Sequence, residues 1–289
     1  MRLEHAELPT GLVEAHKQGC LVLFVGAGVS LPAPSCIPLL DGLAHRVADE
    51  LGLGGAPDVS SAPEEMFEEL EGRGLGVHAA VRRIVGESPA PNDVHRAVDE
   101  LAQAGPAIRI VTTNYDRHLA ACLPQNVRVY EAPDLPGDED FEGVVHLHGW
   151  VEQEPSRLVI TRSDFAEAYM QPLSPTLAFL HRMFASSTVL FVGYSADDTL
   201  MQYVLRAARG RTDLLTLHPR PDDPKWKALD ITPVGYGHHD NLPLLLSEWA
   251  QRAGTTRDQH VDWVTRIVTE CESLDGLSDL DESYLADVI

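Results

Sequence analysis

Basic side chains are scarce in this sequence. Lys and Arg number 22 against 44 Asp and Glu over 289 residues, a formal net charge of −22 at pH 7. Such a surface repels phosphate backbones, which argues against direct nucleic-acid binding unless a basic partner or subdomain intervenes. Cysteine is scarce too. Cys20, Cys36, Cys122 and Cys271 are all there are, and none forms a C-x-x-C pair. Zinc-ribbon and thiol-redox spacings are thereby excluded, no metal is expected, and the scatter fits a reducing cytoplasm. The amino terminus has no apolar stretch of signal-peptide type, and no run approaches the ~20 apolar residues of a membrane span.

What is present is an ordinary globular share of apolar residues, 44%, arranged in alternating strand and helix patterns. Strands are expected at 21–25, 107–112, 144–148, 188–192 and in "DLLTLH", with "RLVIT" a further candidate and "ITPVGY" a short segment. Helices are expected at 9–18, 39–51, 63–71, 77–85, 92–104, 115–122, 174–185, 197–208, 241–253 and 258–272; "SDFAEAYM" opens another, with Ser163 as its cap. Residues 131–143 read as a loop. The alternation implies an α/β fold, a doubly wound, Rossmann-like parallel sheet, with residues 52–91 as a helical insertion capping the site. The domain expected is 1–254. Residues 255–289 form a helix and an acidic tail, which is either simply solvated or a docking segment for a basic partner.

Several strands end on polar or glycine residues. "FVGAGVS" is a strand followed by Gly26 and Gly28, a turn suited to close approach of a diphosphate or simply a tight turn. The third glycine of a dinucleotide fingerprint is replaced by Leu31. In "TTNYD", Asn114 can cap the next helix with Asp116 in its first turn, and the same position faces the crevice at the strand ends. "HLHG" places His146 and His148 on one face. In "GYSADD", Ser195 and Asp198 have capping-box spacing. His238, His239 and Asp240 read as a polar loop or a metal cluster, the loop being the simpler reading.

The order of these motifs resembles the sirtuin family over roughly residues 19–250: G-A-G-x-S, then T-x-N-x-D, then H-G, then G-x-S. The tyrosine in "TTNYD" and the "GYSADD" motif resemble the bacterial sirtuin-like branch, in particular the NAD-hydrolysing effector domains of antiphage systems. Two C-x-x-C zinc pairs of deacylating sirtuins are missing, and "CIPLLD" keeps only Ile37 and Pro38 of another family segment. The resemblance implies an NAD+ pocket. Gly26, Ala27, Gly28, Ser30 and Thr112, with Gly193, Ser195 and Asp198 from the neighbouring strand, would bind the cofactor. The adenosine end would lie toward Leu217 and His218.

The chemistry implied is cleavage of the nicotinamide–ribose bond through an oxocarbenium-like state. Asn114 would hold a ribose hydroxyl or the water, His148 would take a proton, and Asp116 would orient the Asn114 loop. The expected function is an NAD+ glycohydrolase, releasing nicotinamide and ADP-ribose, as a cytoplasmic antiphage effector controlled by homo-oligomerisation or a partner protein. The alternatives are an NAD-dependent deacylase or ADP-ribosyltransferase, and a non-enzymatic module binding NAD or ADP-ribose.

Overall fold

A computed structural model describes residues 1–53, 62–137, 141–196, 202, 205 and 213–254. Asp198, helices 197–208 and 258–272 and the acidic tail lie outside the described residues, apart from positions 202 and 205. Seven short strands form one sheet: β1 (Leu21–Val25), β2 (Arg109–Thr112), β3 (Val129–Glu131), β4 (Gly143–His146), β5 (Thr188–Val192), β6 (Leu214–His218) and β7 (Thr232–Gly235). Their order is β3-β4-β2-β1-β5-β6-β7, and every pairing is parallel. A parallel sheet needs cover on both faces, which is why β1 is buried along its whole length.

The two faces follow the two-residue period of a strand. Leu21, Leu23 and Val25 of β1 join one core with Leu12 of α1 (Thr10–Lys17), Leu101 of α5 (Asp93–Ala104) and Trp249 of α10 (Asn241–Gly254). Val22 and Phe24 join the other, with Phe165 of α7 (Arg162–Met170), Phe179 and Phe184 of α8 (Pro175–Ser186), and Trp226 of α9 (Pro224–Leu229). A third core joins α2 (Leu40–Glu50), α3 (Pro63–Gly72) and α4 (Val77–Gly86) through Val47, Phe67, Leu70 and Val81, and packs them on Val151, Leu158 and Ile160. The described part of 52–91 therefore carries helices, as its sequence pattern implies.

After β1 the chain crosses to β2, while β5 on the other side of β1 leads on to β6. The switch point falls between the carboxyl ends of β1 and β5, where an open parallel sheet leaves its crevice.

Some details differ from the sequence pattern. "RLVIT" is not a strand. Leu158 and Ile160 are apolar because they pack on the α2–α4 core, and Val159 N–H makes a single ladder-like bond, to His148 O at 3.0 Å. Ser163 does not cap α7. Thr161 does, in a capping box with Asp164, while the Ser163 hydroxyl donates to Glu68 at 2.7 Å. β4 stops at His146, leaving His148 just beyond the strand. A fourth departure is β3, an unexpected strand whose last residue, Glu131, is the first of the stretch expected to be loop.

Candidate functional site

The carboxyl ends of β4, β2, β1 and β5 are neighbours in the sheet, so their polar termini meet in one region. Thr112 closes β2 onto β1: its hydroxyl donates to Val25 O at 2.9 Å and accepts from Asn114 N–H at 3.0 Å. Asn114 is only 5% exposed and Asp116 3%. Both belong to a buried polar network whose proton directions can be worked out.

The network starts at the amino end of α5. Asn92 caps that helix and donates its backbone N–H to Nδ1 of His95 at 3.2 Å. Nδ1 is therefore the acceptor, and Nε2 carries the proton that reaches Ser30 Oγ, 3.1 Å away. The Ser30 hydroxyl donates in turn to Asp116 Oδ2 at 2.7 Å. Asp116 Oδ1 accepts the N–H of His118, at the start of α6 (His118–Cys122), at 2.9 Å. Ser30 Oγ also accepts from Asn114 Nδ2 at 3.2 Å, and the same amide nitrogen donates to Gly26 O at 3.2 Å.

A backbone carbonyl only accepts, so Nδ2 must face Gly26. Both amide hydrogens of Asn114 are then used, and its Oδ1 points elsewhere. That oxygen is buried and has no hydrogen-bond partner among the described residues. Leaving a buried acceptor unmade costs about 1–3 kcal/mol, so such an atom invites a donor from a ligand or water. Burial pushes the His95 imidazole down to about 4 against the opposing pull of Asp116, which keeps Nδ1 free to accept at neutral pH. His118 and His146 are lowered by burial as well.

His146 is fully buried. Its Nδ1 lies 3.1 Å from Asn114 O, and its ring stacks on Trp150 with centroids 5.0 Å apart. His148 sits among aromatics. Its Nε2 is 2.7 Å from the Tyr169 hydroxyl, Phe165 meets its ring edge-on at 5.0 Å, and Tyr115 lies 6.4 Å away. Helix α7 thus orients His148.

The glycine turn has an immediate task of its own. Gly26 and Gly28 donate their amides to Val192 O and Gly193 O, at 3.0 and 2.8 Å. A Cβ on Gly28 would come within 2.7 Å of Gly193 O, and one on Gly193, whose φ is +61°, within 2.7 Å of Val29 N. These glycines let the β1 and β5 loops touch, and Ala27 rides on that contact. Ser30 is buried in the network, whereas Ser195 is exposed at the end of the β5 loop. His238 and Asp240 pair at 3.2 Å in an exposed turn. Among the described residues no group of three or more His, Cys, Asp or Glu could hold a metal ion, and no helix is long and apolar enough to cross a membrane.

Sequence reading missed His95, Asn92, Phe165 and Tyr169. The signal for the first two was "PNDVH": an asparagine N-cap with histidine in the glutamate's place of a capping box.

The geometry has counterparts. Residues 108–233 match the family model of the SIR2-like domain. Over 195 residues the chain is 26% identical to the NAD(+) hydrolase ThsA of Bacillus cereus (strain MSX-D12), covering 65% of this chain and 39% of that protein. It is 28% identical over 273 residues to the uncharacterized protein y4cA of Sinorhizobium fredii (strain NBRC 101917 / NGR234), covering 81% of this chain and 22% of that one. The chain thus spans well under half the length of these curated relatives. In fold it matches the crystal structure of a Sir2 homolog–NAD complex, with a TM-score of 0.51, 18% identity and coverage of 87% of this chain and 96% of that one. A mutant Sir2 homologue in complex with ADP ribose gives a TM-score of 0.51 at 18% identity, over 85% of this chain and 96% of the other. The match to the SIR2-like domain thus covers residues 108–233, and the doubly wound sheet has the fold of those Sir2 structures.

Proposed function

We propose that this chain binds NAD+ at the carboxyl ends of β1, β2, β4 and β5 and hydrolyses its nicotinamide–ribose bond. The observation that carries the reading is the buried Asn114 Oδ1, left unmatched while the amide nitrogen is held by Gly26 and by Ser30, itself fixed by Asp116 and His95. A ribose hydroxyl or the attacking water supplies the donor it lacks. As the glycosidic bond breaks, its electron pair leaves with nicotinamide and positive charge develops on the ribose. Water adds to that carbon, and its proton passes to His148, whose ring Tyr169 orients. The products are nicotinamide, ADP-ribose and a proton. Asp116 is a positioning residue, since its carboxylate is spent on Ser30 and His118.

The similarity to an NAD(+) hydrolase supports hydrolysis over other NAD chemistry. The motif set supports an effector in bacterial antiphage defence, held off by a partner or by assembly of several copies. Gly26, Ala27, Gly28, Ser30, Thr112, Gly193, Ser195 and Asp198 form the cofactor-binding side in this reading, and residues 1–254 the NAD-binding unit.

The test is nicotinamide release from NAD+ by the pure protein, with and without an acylated peptide. Release without peptide supports the reading. Release only with peptide makes it a deacylase, and binding without any turnover makes it a regulatory module.

A further inference from the structure

A cleft of about 360 Å³ opens between α4 and the turn that follows His148. Its wall carries Arg82 and Arg83 from α4, Arg117 from the segment after Asp116, and the carboxylates of Glu87 and Glu152. With only 22 basic residues against 44 acidic ones in the chain, three guanidiniums in one cleft run against the surrounding field. The site described above uses none of them.

Two of the three, Arg82 and Arg117, are held loosely enough to be recruited. Arg82 donates Nε to Val151 O at 2.7 Å, and its two terminal nitrogens make no hydrogen bond among the described residues. Arg117 pairs with Glu152 at 3.1 Å, but the two side chains are 50% and 48% exposed. Arg83 pairs with Glu50 and is 57% exposed. The Arg117–Glu152 pair, exposed on both sides, is worth at most about 1 kcal/mol, so an incoming anion displaces it cheaply, whereas Glu50 is only 18% exposed and keeps Arg83 in place.

We propose that this cleft binds a small anion carrying at least two phosphoryl groups. The guanidinium fork matches pairs of phosphoryl oxygens, and the volume lies at the small-molecule end of the range for ligand sites, roughly 300–1,000 Å³. A long polyanion would have to cross the acidic surface outside the cleft. A diphosphate fits inside it. Glu87 and Glu152 accept hydrogen bonds from hydroxyl or amino groups on an organic ester.

Occupancy also reaches the Asn114 loop. Arg117 adjoins Asp116, and Val151, which holds Arg82 through its carbonyl, donates its N–H to Tyr115 O at 2.8 Å. An anion bridging Arg82 and Arg117 draws α4, the turn and residues 115–117 together. Only the catalytic consequence of that tightening rests on the proposed function; the binding does not.

The experiment is calorimetric titration of the full chain with inorganic pyrophosphate at fixed ionic strength. Saturable binding is expected. Arg82→Ala and Arg117→Ala should each weaken it about tenfold or more, the loss of one charge-assisted contact. Glu152→Gln should tighten it, a gain that misfolding cannot mimic. Amide exchange at 114–118 should slow when pyrophosphate is bound. Absence of saturable binding, or equal binding by the arginine variants, would overturn the proposal. Unchanged exchange at 114–118 would remove the link to the loop.

Discussion

At the scale of single residues, the question is whether Asn114 is held for packing or for chemistry. Asn114 caps no helix, since α6 starts at His118 with Arg117 at its N-cap; as a buried hydrogen-bonding residue alone, Asn114→Ala should cost about 1–3 kcal/mol. As a ligand to ribose or water in the transition state, it should lower nicotinamide release by ~10³, about 4 kcal/mol of barrier. The expected outcome is the large rate loss with a melting temperature within a few degrees of wild type. Near-normal turnover in a folded variant would leave only a binding module. Gly28 gives a contrasting case. Its replacement by alanine puts a Cβ against the Gly193 carbonyl, a backbone atom that cannot swing away. Gly28→Ala should therefore destabilise by about 1–3 kcal/mol, the usual cost of overpacking, read as a drop in the denaturation midpoint. The two substitutions separate a residue that holds the ligand from one that holds two loops together.

At the scale of elements, α7 is the piece that couples the helical unit to His148. Asp164 accepts from Ile160 N–H and Thr161 N–H at 3.1 and 2.8 Å and from His78 of α4 at 2.8 Å. The His78 imidazole is raised by its bond to Asp164; burial alone would raise the Asp164 carboxyl, but its hydrogen bonds with His78, Thr161 and Ile160 together lower it. Asp164→Ala should cost about 1–2 kcal/mol by losing the cap and the partly buried pair. It should also slow turnover, because α7 presents Phe165 and Tyr169 to His148. Normal turnover in that variant would mean that His148 does not depend on α7. The elements also show why parts of the fold were legible and parts were not. β1, β5 and α5 carry strong, uninterrupted patterns, an apolar run of five residues in β1 and four in β5, and a capped amphipathic helix in α5. β3 is a three-residue edge strand, half buried along its length, so it has no apolar run to read. α9 is a six-residue helix opened by Asp223 and Pro224, too short for a helical period to emerge. "RLVIT" misled because its apolar residues answer to a core of helices, a demand invisible until the helices are placed. At the site, the strand-end residues Asn114 and His148 could be picked from motif order. His95 was legible only as a capping-box residue in "PNDVH"; its link to the site was not, because its partner Ser30 is 65 positions away in the chain.

At the scale of the whole molecule, stability should be shaped by two opposed responses to acid. The chain carries 44 acidic residues, so lowering the pH relieves self-repulsion and favours the compact state. Chelation should leave the melting temperature unchanged, since a chain without C-x-x-C pairs has no zinc module to lose; a clear fall would reveal a bound metal. Against the relief of repulsion stand His16, His95, His118 and His146, all lowered by burial. A histidine whose folded value lies below its unfolded value of about 6.5 contributes stability at higher pH, and that stability drains away as the unfolded chain takes up protons that the native state refuses. For His95, with a folded value of about 4, the loss runs from near 6.5 down to about 4 and flattens below. Between pH 7.5 and 5 this one group should cost on the order of 2 kcal/mol. His78, raised by Asp164, has the opposite sign: its stabilisation is complete below about 6.5 and fades as pH rises through its folded value. The buried histidines outnumber it, so the melting temperature should fall between pH 7.5 and 5 despite the shrinking net charge. Substituting His95→Gln keeps a side-chain amide to face Ser30 and removes the titration. The variant should melt lower at pH 7.5 and lose less on acidification than wild type. Parallel pH profiles for the two proteins would place the acid sensitivity elsewhere in the fold.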